Sequence, residues 1–442
     1  MPALTASPRV KRIQTVTLVL LVTAGVVNYV DRATLAVANP LIRDELHFSI
    51  ADMGLLLSAF LWAYAFSQLP AGALADKVGP RLSLTFGLTF WSLGQMLGGL
   101  VQSFWQFAGA RFILGVGEAP HFPTCARISR DWFNIRQRGT ATGFWNSASS
   151  LGTALAVPIL TLLMLSFGWR WMFVLMGCAG LVVALAYFVI FRNPAAAGLT
   201  AEERAFLTEG DATTAQVPVT WQSWRRLFAF KTTWGMVAGY FGCIYITWIY
   251  TAWLPGYLEI ERHFTVAKTG ILGAIPFAFG VLGAICGGRV VDILARRGVD
   301  PMLARKYPMA GSLVATAVFT VIAALSPSDV FALVCISLSL FLVYFCSSSA
   351  WAMASVAAPA SATASIGSVQ NFGGYIGGAL APTVTGFIVQ ATGSFTPAFL
   401  TGSAVALVAA AIYWTLVREP IPAIGVVDTA APTRMPPGVV VK

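Results

Sequence analysis

Four ionisable residues stand inside stretches that are otherwise apolar, where charge is costly. Asp31 and Arg32 lie in NYVDRATLAVANP (28–40), and Arg111 and Glu118 lie in GARFILGVGEAPHFP (109–123). Arg111 and Glu118 are seven residues apart, which at about 100° per residue sets them roughly 20° from each other on one helix face, two turns apart. Charges at membrane depth persist where they face a partner or a water-filled cavity, and they mark functional sites. A structural ion pair locking two helices is the plainer explanation, but one pair would do for that, and here there are two charges of each sign.

Two carboxylates and two guanidiniums form a neutral set, the least costly way to keep charge in a low-dielectric interior. A substrate carboxylate unbalances the set by one charge, and one bound proton restores it, which is the arithmetic of proton and anion symport. Arginine suits the anion because its fork stays charged and matches a carboxylate in two places. Glu118 is the principal candidate for carrying the proton. Asp31 is the second, since it either titrates or stays ionised in a pair with Arg111.

The elements that must hold these residues are membrane helices. With 442 residues, 57% apolar, 10% charged and a mean hydropathy of +0.74, the chain falls outside the range of soluble domains. The net charge of +10 does not point to nucleic acid, because the basic residues sit in the gaps between apolar runs and build no aromatic-interleaved patch. The six cysteines have neither metal-ligand spacing nor a histidine cluster beside them, so no metal is expected. Apolar segments of spanning length fall at about 15–38, 52–75, 82–101, 104–126, 139–165 and 169–191. A second series falls at about 233–258, 266–291, 308–325, 329–353, 362–389 and 394–416. The expected organisation is a tail at 1–14, a six-helix bundle at 15–191, a cytoplasmic linker at 192–231, a second bundle at 232–417 and a tail at 418–442.

Placing both termini in the cytoplasm leaves only Arg32, Arg43, Arg111, Arg170, Arg262 and Lys268 of the 28 basic residues away from that side. Such a bias sets the orientation in a plasma (bacterial inner) membrane. The halves also echo each other. Gly143, Asn146 and Pro158 recur as Gly367, Gln370 and Pro382, and Gly72 and Asp76 recur as Gly288 and Asp292. Duplicated units of this kind make a midplane site between two rocking halves.

The stretch GALADKVGPR (72–81) resembles the signature loop between the second and third helices of the major facilitator superfamily. NYVDRATLAVANP, RFILGVGEAPHFP, GWRWMF (168–173), WLPGYL (253–258) and QNFGGYIGGALAP (370–382) together resemble its anion:cation symporter family, which includes galactonate, glucarate and hexuronate permeases. The resemblance implies an all-α fold of 12 transmembrane helices in two pseudo-symmetric six-helix bundles, protons as the coupling ion, and no cofactor. It puts the family's protonation sites on Asp31 and Glu118, its substrate-carboxylate arginine on Arg32 and a charge partner on Arg111. It also makes Gly72, Asp76, Arg81 and Asp292 gating-loop residues.

Other polar groups complete the expected pocket. Asn28 and Tyr29 share helix faces with Asp31 and Arg32, and Tyr64 lies mid-span. The second half offers Tyr250, Ser347 to Ser349, Gln370, Asn371 and Tyr375 for the substrate's polyol or ring. Helix-packing glue is the competing explanation for each. His121, between Pro120 and Pro123, reads as a satisfied structural histidine instead of a relay. The expected function is a monomeric, proton-coupled importer of an organic anion, a sugar acid foremost, embedded in lipid. The alternatives are an aromatic or other carboxylate as cargo, or proton-driven efflux of drugs. No nucleophile, metal constellation or phosphate loop supports an enzyme.

Overall fold

The computed structural model describes residues 6–209, 225–357 and 363–422, and every regular element in them is helical. In chain order they are α1 (Pro8–Val37), α2 (Asn39–Leu46), α3 (Ile50–Val78), α4 (Pro80–Gly98), α5 (Phe104–Glu118), α6 (His121–Trp132), α7 (Ile135–Ile190) and α8 (Ala201–Thr208). Then come α9 (Lys231–Ile260), α10 (Val266–Leu272), α11 (Ala274–Arg296), α12 (Leu303–Leu325), α13 (Asp329–Ala357), α14 (Thr363–Thr392) and α15 (Thr396–Leu416). Among the described residues nine helical stretches are long and apolar enough to cross a membrane. The chain is a multi-pass, all-helical membrane protein.

Local chemistry explains the helix boundaries. Ser7 caps α1 by accepting a hydrogen bond from the Val10 amide, with Pro8 next, where its missing N–H costs nothing. Gly79 alone separates α3 from α4, at φ 86°, a conformation that disfavours any side chain. The spans expected at 139–165 and 169–191 form one helical stretch, α7, broken at Gly168, where φ is 81°. Gly152 lies against Val26, and Gly180 lies close to Val27. Residues 28 apart on one straight helix would be roughly 42 Å apart, so α7 doubles back at Gly168 into two limbs.

Two expected spans are broken where continuous helices were foreseen. The stretch 104–126 divides at Ala119 and Pro120 into α5 and α6, because a proline removes an amide and crowds the carbonyl four residues earlier. The break falls next to Glu118. In the same way 266–291 divides at Gly273, three residues before Pro276. The polar connection at 192–231 is more than a spacer in its described part: α8 begins with a capping box between Thr200 and Glu203. The Ser7 hydroxyl donates to Glu203 at 2.7 Å, and Arg9 donates to the Ala197 carbonyl at 2.7 Å, so this segment is tied to the start of α1. The Ser7 hydrogen bond, aided by the Thr200 amide, holds the Glu203 carboxyl below its usual range.

Packing divides the helices. The first limb of α7 packs along α1 and the second along α4, while α5 lies against α3 and α4. Further on, α9 packs on α14 and α15, α11 on α13, and α12 on α13 and α15. The two groups meet mainly where α3 crosses to α14, with α7 touching α10 and α11. The α3–α14 seam changes character along its length. At one end Gly54 is pressed against the Pro382 carbonyl and Gly386, Ser58 receives the Thr383 hydroxyl at 2.8 Å, and the Ala51 amide donates to Gln390 at 2.9 Å. At the other, long side chains meet, with the Asn371 amide 3.5 Å from the Gln68 oxygen.

Candidate functional site

The charged residues converge on one buried site among α1, α3, α4 and α5. Arg32 donates its Nε–H to Glu118 Oε2 at 2.7 Å, with side-chain exposures of 3% and 0%. Glu118 is the last residue of α5, and the Pro120 break follows directly. A charged pair this dry is stable only when both partners stay together, because either alone would be an uncompensated buried charge.

Aromatic rings enclose the guanidinium. Its carbon lies 4.8 Å from the Tyr29 ring centre, 5.2 Å from Phe60 and 4.7 Å from Tyr64. Phe60 also lies 5.1 Å from the Arg111 guanidinium, and so holds both arginines. From the other half, Tyr375 sets its ring 4.7 Å from Tyr64. Cation–π contacts of this kind are worth ~0.5–2 kcal/mol each when desolvated. They leave the edge of the guanidinium free for an anion: Arg32 Nη2 is buried without a hydrogen-bond partner, and so are Glu118 Oε1 and the Tyr64 hydroxyl.

Asp31 differs from its neighbour. Both of its carboxylate oxygens are buried and unpartnered, and it forms no direct ion pair with Arg111. The direct pair in the site is therefore Arg32 with Glu118, joining α1 to α5, in place of a paired Asp31 and Arg111. Arg111 remains within electrostatic range of both Asp31 and Glu118. Asn28 is fully buried with both amide atoms unpartnered, one turn from Asp31. His121 does not fit a satisfied structural histidine: its Nδ1 is buried without a partner, and Nε2 has only the Cys125 sulfur, at 3.8 Å.

The remaining expected residues scatter. The Tyr250 hydroxyl is engaged with Thr320 at 2.8 Å in a buried knot that continues to Ser339, and the rings packed on the two arginines are Tyr29, Phe60 and Tyr64 instead. Gln370 donates to the Ala350 carbonyl at 3.3 Å, with its oxygen unpartnered, and Asn371 lies on the α3 seam. Arg81 donates twice to the Phe188 carbonyl, closing the end of α7 onto α4. Gly72, Asp76 and Asp292 fall on α3 and α11, and their side chains lie outside the described residues.

Phe60, Trp91 and Gln95 went unremarked in the sequence. Phe60 is four residues before Tyr64, a spacing that puts both rings on one face of α3. Trp91 and Gln95 are likewise four apart on α4, in a span otherwise unmarked by charge, and both are buried with unpartnered polar atoms.

Residues 21–382 match the family described as Major Facilitator Superfamily. The chain belongs to that superfamily. Among similar proteins, a Probable L-galactonate transporter of Escherichia coli is 42% identical over 415 residues, covering 94% of this chain and 92% of that one. A D-galactonate transporter of another Escherichia coli strain is 33% identical, covering 91% and 95%. Among solved structures, a bacterial homolog to the human lysosomal transporter Spinster, inward-facing and occupied, superposes with a TM-score of 0.78 at 18% identity, over 93% of this chain and 97% of that one. At that identity the likeness speaks for the fold alone, and it is the superfamily's. Membership of this superfamily makes the chain a transporter and not an enzyme.

Proposed function

We propose that this protein carries a sugar acid, an aldonate before an aldarate or hexuronate, across the bacterial inner membrane in symport with protons. One observation carries the proposal. This superfamily member, 42% identical to a Probable L-galactonate transporter, holds an arginine whose Nη2 is buried and unpartnered, whose guanidinium is flanked by tyrosines and whose Nε is already bonded to Glu118. A substrate carboxylate takes the free edge of Arg32. Its arrival brings a second negative charge to a guanidinium already paired with Glu118, and a proton on Glu118 relieves that crowding. Coupling then follows from charge balance in a buried site.

Alternating access needs two bodies. Twelve crossings account for the helices when α5 with α6 makes one, α7 makes two and α10 with α11 makes one; the halves are 15–191 and 232–417, joined by 192–231. The glycine contact of Gly54 with Gly386 and the Ser58–Thr383 hydrogen bond support closure at the end opposite both termini. With the termini cytoplasmic, that end is the outer one. The working unit is a monomer in lipid. Gly72, Asp76, Arg81 and Asp292 belong to the cytoplasmic gate, and Asn371 to the seam that opens below the substrate.

A thermal-shift series on the purified protein tests the cargo. Aldonates, aldarates, hexuronates, aromatic acids and a cationic drug are compared, since only a ligand bound to the folded state raises the melting point. Stabilisation by an aldonate, absent for the cation, is expected. Stabilisation by the aromatic acids alone would replace the cargo.

A further inference from the structure

Behind the Arg32–Glu118 pair lies a second group of buried polar side chains that substrate recognition does not use. Asn28 and Asp31 on α1, Trp91 and Gln95 on α4 and Arg111 on α5 are at most 2% exposed. Nine of their polar atoms have no hydrogen-bond partner: both amide atoms of Asn28 and of Gln95, both oxygens of Asp31, Nε1 of Trp91, and Nε and Nη1 of Arg111. Backbone packing fixes this arrangement. Gly94 brings α4 against Leu114 and Ala110 of α5, and Gly117 seats the Trp91 backbone beside Glu118. The Trp91 indole lies within reach of the Asp31 carboxylate, but no direct hydrogen bond joins them.

A buried polar atom left unpaired costs ~1–3 kcal/mol, so nine on these three helices call for hydrogen-bond partners. The walls carry one negative and one positive charge, Asp31 and Arg111, which gives no preference for a further ion. At two to four hydrogen bonds per molecule, the nine atoms suit about three waters.

We propose that the inward face of α4 closes a water-binding chamber behind the substrate arginine, and that protons pass between Asp31 and Glu118 through this water and not through the substrate cavity. An Asp31 carboxylic acid gives its proton to the first water, and the last water gives one to the Glu118 carboxylate. Asp31 is left as a carboxylate, Glu118 becomes the acid, and the waters are unchanged. Trp91 and Gln95 are positioning residues that orient the water. The charged groups within range of Asp31 are Arg111 and Glu118 on α5; around its neighbours stand Tyr29 on α1 and Tyr64 on α3, both against Arg32, and His121 on α6, whose ring centre is 6.0 Å from that of Trp91. The described charge on α7, Arg170, is held at the far end by Glu45.

The proposal rests on the proton-coupled reading, and proteoliposome transport separates the two. Gln95→Leu and Trp91→Phe are expected to lower uphill accumulation at least tenfold and to shift its pH profile, while counterflow keeps a third or more of its rate and Gln95→Asn recovers part of the loss. Wild-type accumulation and an unmoved profile in both variants would overturn the chamber. Glu118→Gln runs alongside: retained uphill uptake in that variant defeats the coupling itself, whereas its loss beside normal Gln95→Leu defeats the chamber alone. Should the α4 variants fail to fold, radiolytic footprinting of the unsubstituted protein decides. Rapid oxidation of Trp91 despite its burial reports bound water beside it, and an unlabelled Trp91 rejects the proposal.

Discussion

The two sets of helices solve the same packing problem with different interiors. In the first, Asp31, Arg32, Arg111 and Glu118 place four charges in a buried core, with one direct pair and many unpartnered atoms. In the second, the deep polar groups are neutral: Tyr250 with Thr320 and Ser339, Tyr240 with Ser347 at 3.2 Å, and Gln370 on a backbone carbonyl. Lys306 is buried there too, but near the start of α12 and 5.0 Å from the Trp414 ring. Neutral knots hold helices together and ask for no ligand. Unpaired charges gain most when a substrate or a proton arrives. On the proposed function, one half reads the substrate's charge and the other closes over the cargo.

The largest expected effect follows from removing the proposed proton carrier of the charged half. Glu118→Gln should abolish uphill uptake, by a hundredfold or more, while counterflow persists in part; gradient-driven uptake at wild-type rate would erase the contrast between the halves. Next comes Arg32→Lys, which keeps the charge but loses the fork and its stacking. A cost of ~1.5–3 kcal/mol, about 10- to 150-fold in substrate affinity, is expected by calorimetry. An unchanged affinity would move the carboxylate elsewhere. In the neutral half, Tyr250→Phe should lower stability by ~1 kcal/mol through its lost bond to Thr320, with substrate affinity within about threefold. A tenfold loss of affinity would bring Tyr250 into the site and sharpen the role of that half.

The smallest effect belongs to a surface pair that acts as a control on the buried ones. Glu45 receives the Trp169 indole at 2.6 Å and is paired with Arg170 at 3.0 Å; the indole, then the guanidinium, hold its carboxyl below the ordinary range. A depressed folded value means the contribution is present above the unfolded carboxylate range and is lost as pH falls through the lowered one. Glu45→Gln should therefore cost less than ~1 kcal/mol at neutral pH and nothing in strong acid, measured as the melting midpoint against pH. A larger cost that persists in acid would assign the effect to packing.

Much of the charged half was legible because buried charge in an apolar run has few explanations. Asp31, Arg32, Arg111 and Glu118 announce themselves by type alone, and their convergence on one site is what depth in a membrane requires. Trp91 and Gln95 did not, since a tryptophan and a glutamine in a hydrophobic helix look like ordinary packing until their neighbours are known. Tyr250 looked available in the sequence, and only the Thr320 hydroxyl beside it shows its own hydroxyl engaged.

Composition, spacing and the distribution of lysine and arginine determined a membrane-embedded helical chain, because hydropathy and charge act residue by residue and need no partner to be read; the superfamily was legible only in the resemblance of motifs such as GALADKVGPR. Which arginine bonds Glu118, which rings surround it and where α5 gives way to α6 were decided by the folded chain. Pairing is a property of distance between residues far apart in sequence, Arg32 and Glu118 among them. Only packing, through contacts such as Gly117 against Trp91, sets those distances.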